Sequence, residues 1–221
     1  MKSWMRANKG FVMFLLLFGV FRTAVADWNP IPSGSMRPNL LEGDVVLVNR
    51  LAFDLKLPLT DIILTHLGDP RRGDVVTFSS PKDGTRLIKR VLALPGDVVE
   101  MRDEHLVING QPASYSLPRE APEPMPGGGV TTALQLTETV GGGQHRIQVM
   151  PQIEARRNFA PVTIPNGEFL MLGDNRDNSA DSRFIGLVPR ALLIGRAERV
   201  LVSANINGNW MPRVDRFGRP L

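Results

Sequence analysis

Gly43-Asp-Val-Val-Leu-Val-Asn49 sets a glycine-aspartate turn directly ahead of a run dominated by valine. β-Branched side chains fit a pleated, half-buried surface, so this reads as a turn feeding a strand. The same Gly-Asp-Val-Val recurs at 73–76 and at 96–99. The spacings are unequal, which makes it a repeated turn-into-strand device and not a solenoid period. Working outward, Thr85 to Leu94 is an apolar-rich strand closed by Leu94-Pro95-Gly96-Asp97, a strong turn signal. His105 to Ile108 enters an Asn109-Gly110 hairpin turn. Arg146 to Met150, Phe169 to Leu172, Ser182 to Val188 and Arg196 to Val202 read as further strands, with a helical turn near Pro189 to Leu193. Phe53 to Leu67 lacks clean alternation and reads as an irregular connection. The expectation is a mostly β protein, a β-barrel or folded sheet with small helices as minor parts.

Residues 118–143 differ in character. Four prolines (Pro118, Pro122, Pro124, Pro126) and two triple-glycine runs, at 127–129 and 141–143, suggest a flexible, surface-exposed insertion around one hairpin, Val130 to Val140. It forms the centre of a variable segment spanning about 110–160.

The chain has 221 residues, enough for one domain with a small elaboration. Its net charge of +4 suits an anionic membrane surface. No basic block interleaved with aromatics occurs, which disfavours nucleic acid as a partner. Without cysteine, disulfides, thiolate catalysis and Cys-ligated zinc are excluded. His66, His105 and His145 lie far apart and read as loop or surface histidines, so neither a metal nor a cofactor is expected.

Phe11 to Phe21 is an uninterrupted apolar run, preceded by Lys2, Arg6 and Lys9 and followed by Arg22 and Ala24-Val-Ala26. Two readings compete: a signal peptide removed at the A-x-A site, or a retained anchor. Arg22, able to snorkel to the interface, and Trp4 and Trp28 bracketing the run favour the anchor. Residues 1–27 are then a membrane helix with a cytoplasmic amino terminus, and 28–221 an extracytoplasmic domain.

Pro32-Ser-Gly-Ser-Met36, followed by Arg37-Pro38, carries two hydroxyls around a glycine between prolines. Such a segment presents one serine oxygen and aims backbone donors at the same point. On its own a Ser/Gly/Pro turn explains it equally well. No histidine is placed to act as base. Lys89 is the candidate: alternation puts Leu87, Lys89 and Val91 on one strand face, and an apolar surround disfavours its charge. A lysine on an edge strand facing water is the competing reading. The polar stretch Gly173 to Arg183 follows the apolar Phe169 to Leu172. It reads as a solvated or calcium-binding loop, or as support for the lysine, with Ser179 orienting the amine and Asp181 paired to Arg183. Arg176 and Arg183 speak against calcium.

Ser-Gly-Ser-Met-x-Pro after an apolar segment, Arg-Gly-Asp-Val-Val at 72–76, Ile-Lys-Arg with Leu-Pro-Gly-Asp, and Gly-Asp-Asn-x-Asp-Asn-Ser-x-Asp-Ser-Arg stand in this order. Together they resemble the bacterial type I signal peptidases. The resemblance implies a Ser35/Lys89 dyad, with the Ser33 hydroxyl joining the Ser35 N–H in an oxyanion hole. It implies Ser179, Asp181 and Arg183 as lysine-orienting and supporting residues, and Ile31, Met36, Leu40 and Ile88 as pocket residues for small substrate side chains at −1 and −3. It further implies an inner-membrane, single-pass enzyme whose partners are preproteins, the lipid bilayer and the export translocon. Two features depart from the family pattern: one apolar segment where some members have two, and a compact, Gly/Pro-rich stretch between Asp97 and Pro165. A peptidase dedicated to one cargo, of the conjugative-pilin kind, and a secreted β-rich binding protein are the rival readings.

Overall fold

The computed structural model describes residues 8–60, 62–102, 105–125 and 128–221. The expectations that involve Lys2, Trp4, Arg6, Pro126 and Gly127 fall outside them. The turn-into-strand device at 43–49 becomes β2 (Asp44–Asn49), next to one edge of the largest sheet. That sheet has seven strands, all antiparallel to their neighbours. In spatial order they are β1 (Ala26–Pro30), β2, β17 (Leu193–Ser203), β5 (Val75–Ser79), β6 (Arg86–Ala93), β15 (Glu168–Leu172) and β16 (Val188–Pro189). The sheet ends on two open edges and does not close into a barrel, which corrects the barrel alternative to a folded, open sheet.

Two four-stranded sheets flank it. In one, β7 (Val98–Arg102) lies between β14 (Phe159–Thr163) and β8 (His105–Ile108), with β9 (Gln111–Pro112) outermost. The β8–β9 turn is the expected Asn-Gly hairpin: Asn109 and Gly110 both take positive φ, 53° and 75°, as the favoured two-residue hairpin turn requires. The other sheet is the insertion, built on β12 (Val130–Val140), which pairs with β10 (Ser114–Tyr115), β11 (Arg119–Pro124) and β13 (Gly143–Val149). Here the expected hairpin is replaced by a larger sheet. Val130 to Val140 is one continuous strand of 11 residues and not a hairpin. Gly141 and Gly142 instead form the tight turn into β13, with φ of 55° and 80°. Glycine supplies the left-handed backbone that this turn requires.

Three further expectations change. Phe53 to Leu67 contains a small hairpin, β3 (Asp54–Lys56) against β4 (Ile63–His66). Ser182 to Val188 opens as a short helix, α2 (Ser182–Ile185), because the Asp181 carboxylate caps the Arg183 N–H and Gly186 ends it at φ 84°. His145 is not a surface histidine, for its ring is buried beside Glu138.

The amino-terminal helix α1 (Lys9–Ala24) has 16 residues, about 24 Å of rise against a hydrocarbon core of about 30 Å. No helix among the described residues is long and apolar enough to cross a membrane. Its apolar side chains are nonetheless uncovered, Leu16 and Leu17 each 62% exposed. Arg22, half-exposed, folds over the start of β1: its Nε donates to Asp27 at 3.1 Å, and its guanidinium stacks 4.4 Å over Trp28. Trp28 also touches Phe18, so the helix exit is clamped to β1.

The core lies in three clusters. One joins β6 and β15 to the β7–β8 sheet through Leu92, Leu172, Val99 and Leu106. A second packs Phe53, Phe78, Val91 and Met171. The third, beneath the Ser35 turn, holds Ile31, Met36, Leu40, Val46 and Val75. Rigid sheet therefore backs both Lys89 and the serine turn.

Candidate active site

Ser35 sits in a single 3-10 turn, Gly34–Met36, which Ser33 enters in extended conformation. The turn is held from behind by Asn175, whose backbone N–H donates to the Ser35 carbonyl at 3.1 Å and whose side-chain Nδ2 donates to the Gly34 carbonyl at 3.0 Å. Arg37, just past the turn, donates to Glu42 at 2.8 Å and to Glu123 of β11 at 3.1 Å.

Lys89 comes from β6, paired to Val76 of β5. It is 2% exposed. Its Nζ lies 2.7 Å from Ser35 Oγ and donates to the Ile88 carbonyl at 2.9 Å. Burial lowers its pKa to about 8, while the Asp181 and Asp174 carboxylates pull the other way. An amine in this state becomes available as a base as pH rises to about 8, in contact with the hydroxyl it would deprotonate.

Behind the pair, Asp181 and Arg183 meet in a buried ion pair at 2.8 Å. The same carboxylate accepts from the Gly173 N–H at 3.0 Å, and Arg183 also donates to the Arg176 carbonyl at 2.6 Å. Ser179 Oγ is buried with no hydrogen-bond partner among the described residues, and so makes no bond to Lys89. It presses on Gly173 instead. A Cβ there would lie 2.2 Å from Ser179 Oγ and 2.5 Å from the Ser35 carbonyl oxygen. Ser33 lies exposed next to the turn.

The four pocket residues separate into two kinds. Ile31 and Ile88 line a cavity of about 280 Å³, with Trp28, Pro30, Pro32 and Leu87. Met36 and Leu40 are wholly buried in the cluster beneath and line none of it.

Sequence reasoning passed over several residues of this site. Arg90 makes a bidentate pair with Asp174, both contacts 2.8 Å, and Asn39 donates to the same carboxylate at 2.7 Å. Arg176 is paired in the interior to Glu138 of the insertion. A second cation directly after Lys89 in an otherwise apolar strand was the available signal for Arg90. For Glu138, in Thr137-Glu-Thr139, there was none.

The sequence also matches known proteins. The family model described as signal peptidase, peptidase S26, matches residues 2–202. The chain belongs to that family. Among its relatives, a signal peptidase I of Pseudomonas aeruginosa is 37% identical over 211 residues, covering 89% of this chain and 72% of the relative. One from Pseudomonas fluorescens is 35% identical over 208 residues, with the same coverages of 89% and 72%. One from Buchnera aphidicola is 31% identical over 251 residues, covering 94% and 79%. A crystal structure of a signal peptidase I from Enterococcus faecalis aligns at a TM-score of 0.35 and 31% identity, over 58% of this chain and 96% of that one. As a member of peptidase family S26, the chain is a serine peptidase.

Proposed function

We propose that the protein is an endopeptidase that removes signal peptides from exported preproteins, with Ser35 as nucleophile and Lys89 as general base. The observation that carries this reading is the 2.7 Å approach of a buried lysine amine to a serine hydroxyl. Neutral Lys89 takes the Ser35 proton as the oxygen attacks the scissile carbonyl, and returns it to the leaving amine. Water then hydrolyses the acyl-enzyme with Lys89 again as base. The Ser35 N–H and the Ser33 hydroxyl receive the oxyanion. Asp181 and Arg183 hold the loop behind the amine, and Ser179, buried in that loop, is the residue we assign to orienting it.

The apolar cavity beside Ile31 and Ile88 suits small substrate side chains at −1 and −3. Met36 and Leu40 support its floor from the core. The uncovered apolar surface of α1 suits lipid, so we place the enzyme at the inner membrane with its catalytic domain on the extracytoplasmic face, within reach of the translocon. A substrate held in the same bilayer by its own apolar segment then meets the site at high effective concentration.

The test is cleavage of a preprotein bearing an A-x-A site by detergent-solubilised protein, comparing wild type with Ser35→Ala and Lys89→Ala. Cleavage after the −1 alanine that both substitutions abolish, with the fold intact, is the expected result. An active Lys89→Ala would place the base elsewhere. A wild type inert on several preproteins but active on one would favour a dedicated cargo.

A further inference from the structure

We propose that Glu138 is a positioning residue for the Ser35–Lys89 pair, acting through Arg176 across the junction between the insertion sheet and the Gly173–Arg183 loop. The inference rests on the peptidase reading above.

Glu138 stands on β12, 38 residues from Arg176 in sequence, and its side chain is wholly buried. Two donors and a neighbouring imidazole converge on its carboxylate. Arg176 engages both oxygens, one of them at 2.7 Å; the Tyr115 hydroxyl donates at 2.7 Å; and His145 Nε2 lies 3.0 Å away. Burial disfavours the charge, yet Arg176 and His145 hold the carboxyl well below the usual range, so the anion persists. Tyr115 is itself fixed, accepting the Leu106 N–H at 3.0 Å. Glu138 is thus a rigid post seated between two sheets.

The load it carries is the backbone behind Ser35. Arg176 Nε donates to the Gly173 carbonyl at 3.3 Å, and the Arg176 N–H donates to the Gln148 carbonyl of β13 at 2.9 Å. The Arg176 carbonyl accepts from Arg183, the partner of Asp181. The residue just before Arg176 is Asn175, which grips the Gly34 and Ser35 carbonyls. A buried guanidinium deprived of its carboxylate must move toward water, and Arg176 cannot move without dragging these groups. The same sheet grips the turn a second time through Glu123 and Arg37. An error of about 1 Å in such a site costs up to about 100-fold in rate.

The experiment compares full-length wild type, Glu138→Gln and Glu138→Asp in detergent. It measures kcat and KM on a signal-peptide-bearing substrate, together with backbone hydrogen exchange. Glu138→Gln is expected to lower kcat by about 10- to 100-fold with KM within about threefold, measured well below its own Tm, and Glu138→Asp to recover part of the loss. Amides of Gly34–Met36 and Gly173–Arg176 should exchange faster in Glu138→Gln, while those of β5 and β6 stay as in wild type. A kcat within about twofold of wild type, or a loss confined to KM, overturns the proposal. Should wild type not cleave the substrate, the peptidase reading fails by itself and exchange alone decides: unchanged rates in both loops refute the strut. Should Glu138→Gln not fold, Glu138→Asp carries the same two readouts.

Discussion

Replacing Lys89 with methionine keeps most of the length of the side chain and removes its charge, and the structure dictates how stability must then respond to pH. Folding lowers the Lys89 pKa from 10.5 to about 8, chiefly by burial. That difference is worth about 3 kcal/mol. Between these two values the unfolded chain holds a proton that the folded chain has released, so wild-type stability rises as pH climbs through this window. Near pH 7 the amine is charged in both states, and nearly the whole cost is present. The methionine variant has no such group. It also loses the contacts of Nζ with Ser35 and Ile88, an offset of about 1 kcal/mol that persists across the window. Denaturant unfolding of both proteins at about pH 7 and about pH 10 should show the advantage of Lys89→Met over wild type shrinking by about 2 to 3 kcal/mol between the two. Every other titrating group cancels in that difference. A difference independent of pH would mean that Lys89 is solvated in the folded protein and not poised as a base. The same buried amine predicts cleavage activity that rises with pH and levels off above about 8.

Gly173→Ala should be severely damaging, because its new Cβ would meet Ser179 Oγ at 2.2 Å and the Ser35 carbonyl at 2.5 Å. We expect about 1–3 kcal/mol of destabilisation and at least about a 100-fold loss of kcat, read from unfolding curves and preprotein cleavage; near-wild-type kcat would refute the packing. Asp181→Asn removes a carboxylate that raises the Lys89 pKa. The acid limb of the pH–rate profile should therefore move below about 8, and the buried Arg183, left unpaired, should cost about 3–5 kcal/mol. An unmoved limb would show that Asp181 does not act on the amine.

Local signals drew attention to Ser35 and Lys89 without deciding for them; the order of four motifs along the chain did that. A glycine between two serines and two prolines is unusual backbone, and a lysine amid Leu87, Ile88, Val91 and Leu92 is unusual burial. The strands after Gly43, Gly73 and Gly96 were legible locally, since turn chemistry and β-branched runs act over a few residues. Composition misled where one residue type serves two ends. The triple glycine at 141–143 reads equally as a flexible linker or as a tight turn, and only the pairing of Val140 with Gly143 decides. Phe184 and Ile185 suit a strand, but the Asp181 cap and Gly186 wind them into a helical turn. Glu138 lay beyond reach for a different reason. Between two threonines it looks like a solvent-facing residue, and the partner it meets, Arg176, comes from a loop 38 residues away.

The clamp of Arg22 and Trp28 at the end of α1 has a consequence for reach. β1 runs straight from that clamp and spans five residues, about 17 Å at the rise of an extended strand. It is stitched to β2 along its whole length, so it neither stretches nor swings. If α1 sits in lipid, as we propose, Ser35 is held at a set height above the bilayer, as if on a ruler. On that reading peptide bonds at that height would be cut, and identical bonds farther out in the exported chain would pass untouched.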